Sequence, residues 1–183
     1  MERNERQYNL FLIGFMGAGK STIAARLCRM LQMERMEMDQ EIEKREGMPI
    51  PEIFAVHGEA YFRGLETSLL KELETERGLV VSCGGGAAMR GENVEYMKKS
   101  GPVVWLTASP ETVYERVRHG QDRPVLNGHM NVDYIRGLME QREPFYRAAA
   151  DIMVATDGKD RETICREIAA RPEISLLYER NQG

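Results

Sequence analysis

The residues best suited to chemistry occupy positions 14–21 and read GFMGAGKS. They match the phosphate-binding P-loop pattern in full, with a glycine at the start and glycine, lysine and serine at the end. Glycines let successive backbone N–H groups turn toward phosphate oxygens, and a following helix adds the positive end of its dipole. We expect Lys20 to reach the β and γ phosphates of ATP and Ser21 to ligate Mg²⁺. The other residues expected to line the nucleotide are Gly14, Gly17, Ala18, Gly19 and Thr22.

The alternative is a chance glycine-rich turn, and the surrounding sequence disfavours it. A strand-like apolar run over 8–14 leads into the motif, and a helical pattern over 20–33 follows it. This is the setting that a P-loop requires.

Two carboxylates, Glu37 and Asp39, stand at the end of a second candidate strand over 35–39. The two-residue period of a strand places both on one side and Met38 on the other. Two acids near a phosphate site suggest that one serves the metal and the other a substrate hydroxyl. The alternative is a solvated acidic turn that leads into a helix beginning with Gln40, Glu41 and Glu43.

Two arginines are candidate ligands for an anion. Arg63 follows Phe62 at the start of a helical pattern, and Phe62 and Phe54 would form an apolar wall beside it. The alternative for Arg63 is a surface ion-pair network, since acids lie four residues before it and three residues after it, Glu59 and Glu66. Arg142 continues an apolar helical stripe and should face inward, where it needs an anionic ligand or a distant acid.

Three glycines, Gly84, Gly85 and Gly86, follow a candidate strand over 79–83. Without side chains they would let backbone N–H groups approach a substrate hydroxyl closely, although a flexible turn is the alternative. A later stretch, 120–130, has little to pack and predicts a mobile loop that contains Arg123.

These residues must be positioned by alternating strands and helices. The candidate strands are 8–14, 35–39, 79–83, 103–107 and 152–155, and the helical patterns are 20–33, 59–76, 110–118, 132–149 and 160–170. Such alternation predicts βαβ crossovers and a parallel sheet that is covered on both faces. Ligands of such sheets bind outside the carboxyl ends of the strands, which is where the polar residues above fall.

Composition excludes several classes of protein. The 183 residues, 42% of them hydrophobic and 30% charged, suffice for one domain with a sizeable core. A net charge of −4 provides no bulk positive field, so we expect no nucleic acid partner and no membrane partner. The 3 cysteines are widely spaced and predict neither a disulfide framework nor a metal site. The polar start and the absence of a long apolar run predict a cytoplasmic protein.

The P-loop, the paired acids, the Phe-Arg helix, the triple glycine, an Arg-Pro loop at Arg123 and the stretch QREPFY at 141–146 occur in that order. This ordered set resembles shikimate kinase over about 8–170. The resemblance implies transfer of the γ-phosphoryl group of ATP to the 3-hydroxyl of shikimate with Mg²⁺. It also implies a P-loop NTPase fold of nucleoside-monophosphate-kinase type, with a five-stranded parallel sheet flanked by helices.

The resemblance further implies one kinase domain over 1–183, with a substrate-binding lobe at about 39–66 and a lid at about 119–130; we expect a monomer. In the family, the second acid contacts the reacting hydroxyl, which carries over to Asp39. The first organises water around the metal, which carries over to Glu37, although the family has aspartate there.

The remaining roles follow from the same resemblance. Arg63 and Arg142 correspond to the arginines that bind the substrate carboxylate, and Arg123 corresponds to a lid arginine that reaches the transferring phosphates. Arg116 resembles an arginine near the adenine, although a solvated helix face is an equal alternative. The loop at 156–161 is also expected near the adenine.

Two other functions compete with this interpretation. One is a P-loop kinase for another small molecule, such as gluconate or a nucleoside monophosphate, which would need a different substrate lobe. The other is a nucleotide-binding domain that has lost catalysis, for which Glu37 is the supporting feature.

Overall fold

The computed structural model describes residues 8–118 and 131–180, with side chains to residue 177. Its five strands form one parallel sheet with the order β2-β3-β1-β4-β5. The strands are β1 (Leu10–Ile13), β2 (Glu34–Glu37), β3 (Leu79–Ser82), β4 (Val103–Thr107) and β5 (Ile152–Ala155). The predicted α/β fold with a five-stranded parallel sheet is therefore confirmed.

Helices cover the sheet. Those in the described ranges are α1 (Lys20–Met30), α2 (Met38–Glu46), α3 (Ile50–His57), α4 (Glu59–Glu72), α5 (Gly91–Ser100), α6 (Pro110–Val117), α7 (Val132–Ala149), α8 (Arg161–Ala169) and α9 (Pro172–Arg180). The predicted bounds of α7, β4 and β5 are confirmed to the residue. The sequence patterns did not identify α5 or the short 3₁₀ turn Ala87–Met89 that precedes it.

One predicted element needs correction, because β2 ends at Glu37 and does not continue to Asp39. The strand lies at the edge of the sheet, and its last paired residue, Glu37, lies opposite Ser82, where β3 also ends. Beyond that point Met38 and Ile42 are buried four residues apart, which is the spacing of one helix face. Asp39 therefore lies in the first turn of α2, where a carboxylate suits the positive end of the helix dipole.

The core lies on both faces of the sheet, as alternation along β1 requires. Phe11 and Ile13 pack into the cluster on one face, together with Tyr146 of α7. Leu10 and Leu12 pack into the cluster on the other face, against α1 and α8. Both faces of β1 are therefore buried, and the loop that follows β1 starts from a rigid strand.

The predicted substrate-binding lobe, 39–66, contains α2, α3 and the first half of α4. The predicted lid, 119–130, lies outside the described residues, and the division of the chain into core, lobe and lid stays a prediction. No helix in the described ranges is long and apolar enough to cross a membrane.

Asn9 ties the start of β1 to the segment between α4 and β3. Its fully buried amide donates hydrogen bonds to the carbonyls of Leu73 and Glu76, at 3.1 and 2.8 Å, and accepts one from the N–H of Leu79, at 3.1 Å. Asn9→Leu would leave these buried groups without partners, so we expect the free energy of unfolding to fall by about 2–4 kcal/mol.

Urea unfolding followed by circular dichroism measures this loss. Asn131→Ala is the comparison, since Asn131 caps α7 at the exposed N–H of Tyr134 and should cost about 1 kcal/mol. An equal loss in the two variants would contradict the structural role assigned to Asn9.

Candidate functional site

The P-loop connects β1 to α1 and needs its glycines for steric reasons. Gly14, Gly17 and Gly19 have φ angles of 144°, 76° and 98°, which side chains rarely permit. A Cβ on Gly14 would lie 2.5 Å from the carbonyl oxygen of Leu106 in β4. The Lys20 ammonium donates to the carbonyls of Gly14 and Phe15, at 2.8 and 3.1 Å, so it already lies over the loop.

Ser21, the first residue after that lysine, meets the first of the paired acids. Its hydroxyl donates to Glu37 Oε2 at 2.8 Å and lies 3.4 Å from the hydroxyl of Ser82. Glu37 Oε1 is buried and has no hydrogen-bond partner among the described residues. Hydroxyl and carboxylate oxygens with unused capacity suit Mg²⁺, which takes few protein ligands and keeps water and phosphate oxygens. Within the described ranges, no group of three or more His, Cys, Asp or Glu offers a different kind of metal site.

Asp39 lies in the same cleft, on α2. Burial by the surrounding protein raises the pKa of its carboxyl, and the negative charges of Glu43 and Glu37 act in the same direction. The positive charges of Lys20 and Arg63 oppose that shift without cancelling it. A carboxylate with a raised pKa is a better proton acceptor than an ordinary aspartate.

Arg63 extends from α4 into the cleft, and its guanidinium forms ion pairs with both acids that the sequence placed near it. The distances are 2.7 Å to Glu66 and 3.2 Å to Glu59. Both the ion pairs and the position in the cleft are therefore observed. The network reaches from the surface into the interior, because the Glu59 side chain is 67% exposed and the Glu66 side chain 1%. The apolar wall is also present, with the rings of Phe54 and Phe62 4.9 Å apart.

Glu66 is a site residue that the sequence interpretation treated only as an ion-pair partner. Burial raises the pKa of its carboxyl, although the hydrogen bond and the charge of Arg63 lower it. In the part of the chain that the structure describes, its Oε1 has no hydrogen-bond partner, and it lies 2.8 Å from the point where a Cβ on Gly84 would stand. Its position in the sequence could have indicated this role, because Glu66 falls on the buried face of α4 together with Phe62, Leu69 and Leu70.

The triple glycine follows β3 and packs tightly against these charged groups. A Cβ on Gly84 would also lie 3.0 Å from Asp39 Oδ1, and a Cβ on Gly86 would lie 2.7 Å from the guanidinium carbon of Arg63. The segment is therefore not merely a flexible turn. Glycine is needed here because the site's own side chains occupy the space.

Arg142 reaches the cleft from α7 on the opposite side. Its guanidinium carbon lies 5.4 Å from the centre of the Phe15 ring, and its Nη1 lies 3.8 Å from the Cβ position of Gly85. The side chain is half-buried. No carboxylate in the described part of the chain forms an ion pair with it within 4.0 Å. An anion entering the cleft would meet an available guanidinium here.

The other end of the cleft contains Arg116 of α6. Its guanidinium donates to the carbonyl of Gly17 at 3.0 Å and to the hydroxyl of Thr156 at 3.2 Å. Arg116 is therefore held against the P-loop and is not simply a solvated residue on a helix face. The loop after β5 lines this end with Thr156, Lys159, Asp160 and Arg161. Arg123, the predicted lid arginine, lies outside the described residues.

All these groups line one cleft with a volume of about 1810 Å³. It runs from Arg116 past the P-loop, with the exposed Thr22 at its edge, to Arg63 and Arg142. A phosphate-binding end and an anion-binding end therefore meet at Lys20 and Asp39. This is the arrangement that phosphoryl transfer to a small acid requires.

Comparison with known proteins agrees with this geometry. The family model for shikimate kinase matches residues 16–172. A shikimate kinase of Persephonella marina is 43% identical over 163 residues, which are 89% of this chain and 98% of that protein. The structure of shikimate kinase from Acinetobacter baumannii in complex with shikimate is similar, with a TM-score of 0.85, 34% identity and coverage of 96% of each chain. The Aquifex aeolicus shikimate kinase has a TM-score of 0.76 and 38% identity, over 95% of this chain and 98% of that one. On sequence and structure together, the chain belongs to the shikimate kinase family.

Proposed function

We propose that this chain is a shikimate kinase that transfers the γ-phosphoryl group of ATP to the 3-hydroxyl of shikimate, giving shikimate 3-phosphate and ADP. The observation that carries the proposal is the position of Asp39 in one cleft, between the P-loop lysine and two arginines. The family membership supports ATP as the donor and argues against gluconate or a nucleoside monophosphate as the acceptor. Lys20, Asp39, Arg63 and Arg142 line one cleft, which argues against a domain that has lost catalysis.

An assay that couples ADP release to shikimate tests the proposal directly. We expect one ADP for each shikimate consumed, and little release with gluconate, a nucleoside monophosphate or no acceptor. Equal ADP release with and without shikimate would overturn the assignment.

The substrate is held by its carboxylate in this proposal. Arg63 and Arg142 approach it from two helices, and Phe54 and Phe62 cover the apolar face of the ring. Glu66 fixes one guanidinium in advance, which reduces the freedom lost on binding. Backbone N–H groups of the triple glycine approach a hydroxyl, and the 3-hydroxyl then lies toward Asp39.

The transfer itself is a direct in-line displacement. The 3-hydroxyl oxygen forms a bond to the γ phosphorus, the bond from that phosphorus to the bridging oxygen of ADP breaks, and the hydroxyl proton passes to Asp39. Lys20 balances charge on the phosphoryl oxygens, and Arg123 is proposed to do so from the lid. Ser21, and Glu37 through water, would hold Mg²⁺, which supplies further charge neutralisation when bound.

Lid closure over 119–130 is proposed to exclude water, which competes with shikimate as acceptor. A cytoplasmic location, a monomeric state and the absence of nucleic acid and membrane partners stay predictions from composition and resemblance.

Arg142→Ala tests the carboxylate contact. We expect shikimate binding to weaken by about 2–5 kcal/mol, the cost of leaving the substrate charge without its partner. ATP affinity should change little, and isothermal titration with each ligand measures both. Arg136→Ala is the control, since Arg136 lies on the same helix as Arg142 but pairs at the surface with Asp133 of α7 and Glu111 of α6. Equal losses for ATP and shikimate would place Arg142 elsewhere.

Asp39→Asn tests the proton acceptor. The kcat should fall about 10²–10⁴-fold, with a much smaller rise in KM, because the lost interaction belongs to the transition state. In the parent, kcat/KM for shikimate, which reports the free enzyme, should fall as the pH drops through the pKa of Asp39. Since desolvation by the surrounding protein raises that pKa, the fall should begin at a higher pH than for an ordinary aspartate. A kcat close to the parent's would remove Asp39 from this role; Asp133→Asn, at an exposed side chain, is the control.

Glu37 tests the metal assignment. Because an acid that acts through water tolerates a shorter side chain, Glu37→Asp should keep kcat within about tenfold. Glu37→Gln should raise the Mg²⁺ concentration for half-maximal rate about 10–100-fold. The measurement is a Mg²⁺ titration of kcat at saturating ATP and shikimate, with Glu34→Gln on the exposed part of β2 as control. Identical Mg²⁺ titration curves for all variants would show that Glu37 takes no part in binding Mg²⁺.

A further inference from the structure

We propose that Tyr146 is a positioning residue that holds Arg142 and the triple glycine together at the carboxylate end of the cleft. The proposal rests on the function proposed above. Tyr146 lies on α7, is 2% exposed and lines no part of the main cleft. It therefore acts through other residues and does not touch the substrate.

The hydroxyl of Tyr146 links two elements that are far apart in sequence. It donates a hydrogen bond of 2.5 Å to the carbonyl of Gly85, in the middle of the triple glycine. Arg142 precedes Tyr146 by four residues, so the two side chains share a face of α7. Burial raises the pKa of Tyr146, and the positive charge of the Arg142 guanidinium beside it opposes that shift without cancelling it.

Gly85 is the point at which three parts of the site converge. A Cβ there would lie 3.8 Å from Arg142 Nη1, 3.8 Å from the carbonyl oxygen of Gly14 and 3.9 Å from the N–H nitrogen of Met16. A displacement of the Gly85 carbonyl would therefore move the triple glycine against both the substrate arginine and the P-loop. The Tyr146 hydroxyl restrains that displacement and at the same time orients the guanidinium.

The ring of Tyr146 is itself fixed by Trp105, with ring centres 5.8 Å apart in a stacked arrangement. Trp105 is the single tryptophan of the chain. Its fluorescence therefore reports on the neighbourhood of Tyr146 and supplies a binding readout that does not depend on turnover.

Tyr146→Phe removes the hydroxyl and keeps the ring between its neighbours, so the core remains filled and the fold is retained. We expect the Kd for shikimate, from Trp105 fluorescence, and the KM for shikimate to rise about tenfold, as for loss of a hydrogen bond to a charged group. The KM for ATP should stay within about twofold. Tyr96→Phe is the matched control, since its hydroxyl donates to Glu92 on an exposed face of α5.

A double-mutant cycle separates positioning from simple packing. If Tyr146 acts through Arg142, adding Tyr146→Phe to Arg142→Ala should lower kcat/KM for shikimate less than about threefold, against about tenfold in the parent. The same tenfold loss in both backgrounds would overturn the proposal. So would an unchanged Kd for shikimate in Tyr146→Phe, or equal rises in KM for ATP and shikimate. If the parent itself neither binds nor phosphorylates shikimate, the proposed function fails, and this inference fails with it.

Discussion

The parallel pairing of β1 with β3 is the constraint on which the cleft depends. The two strands lie side by side, and the N–H of Cys83 donates to the carbonyl of Leu12 at 3.0 Å, at the point where both strands end. The P-loop and the triple glycine therefore leave the sheet next to each other and in the same direction. A phosphate-binding loop and a substrate-binding loop become neighbours through backbone hydrogen bonds alone, before any side chain contributes.

The second organising feature is the way in which charge is distributed within the cleft. The chain has a net charge of −4, yet its cleft gathers Lys20, Arg63, Arg116 and Arg142 from four separate helices. Glu66 compensates Arg63, so that guanidinium can be buried and fixed, whereas Arg142 relies on an aromatic ring and a hydroxyl. The two arginines thus differ in their surroundings. Arg63 already has a carboxylate partner, whereas the charge of Arg142 is available to a ligand. Under the proposed function, we expect Arg63 to shape the pocket and Arg142 to contribute more of the binding affinity.

The sequence predicted what short-range chemistry determines. The P-loop and the strands β4 and β5 each follow from local spacing or composition. Asp39 was placed correctly in the cleft but on the wrong element, because the end of an edge strand depends on its partner. Glu66 and Tyr146 were missed as site residues, since their importance arises from contacts with residues 18 and 61 positions away. Helix α5 was missed because two of its three buried residues, Asn93 and Ser100, are polar, so its buried face is not an apolar stripe.

The junction between β2 and α2 places Glu37 and Asp39 on two different elements, a strand and a helix. Glu37 is the last residue of β2 and accepts a hydrogen bond from Ser21, whereas Asp39, two residues later, belongs to α2 and so to the predicted substrate-binding lobe. A rotation of the lobe about this junction would carry the proton acceptor, with Arg63, toward or away from the phosphates. Glu37 and Ser21, the residues proposed to hold Mg²⁺, would meanwhile keep their position beside the sheet. Under the proposed function, the alignment of the acceptor would thereby be separated from the holding of the donor at a junction where helix follows strand without an intervening residue.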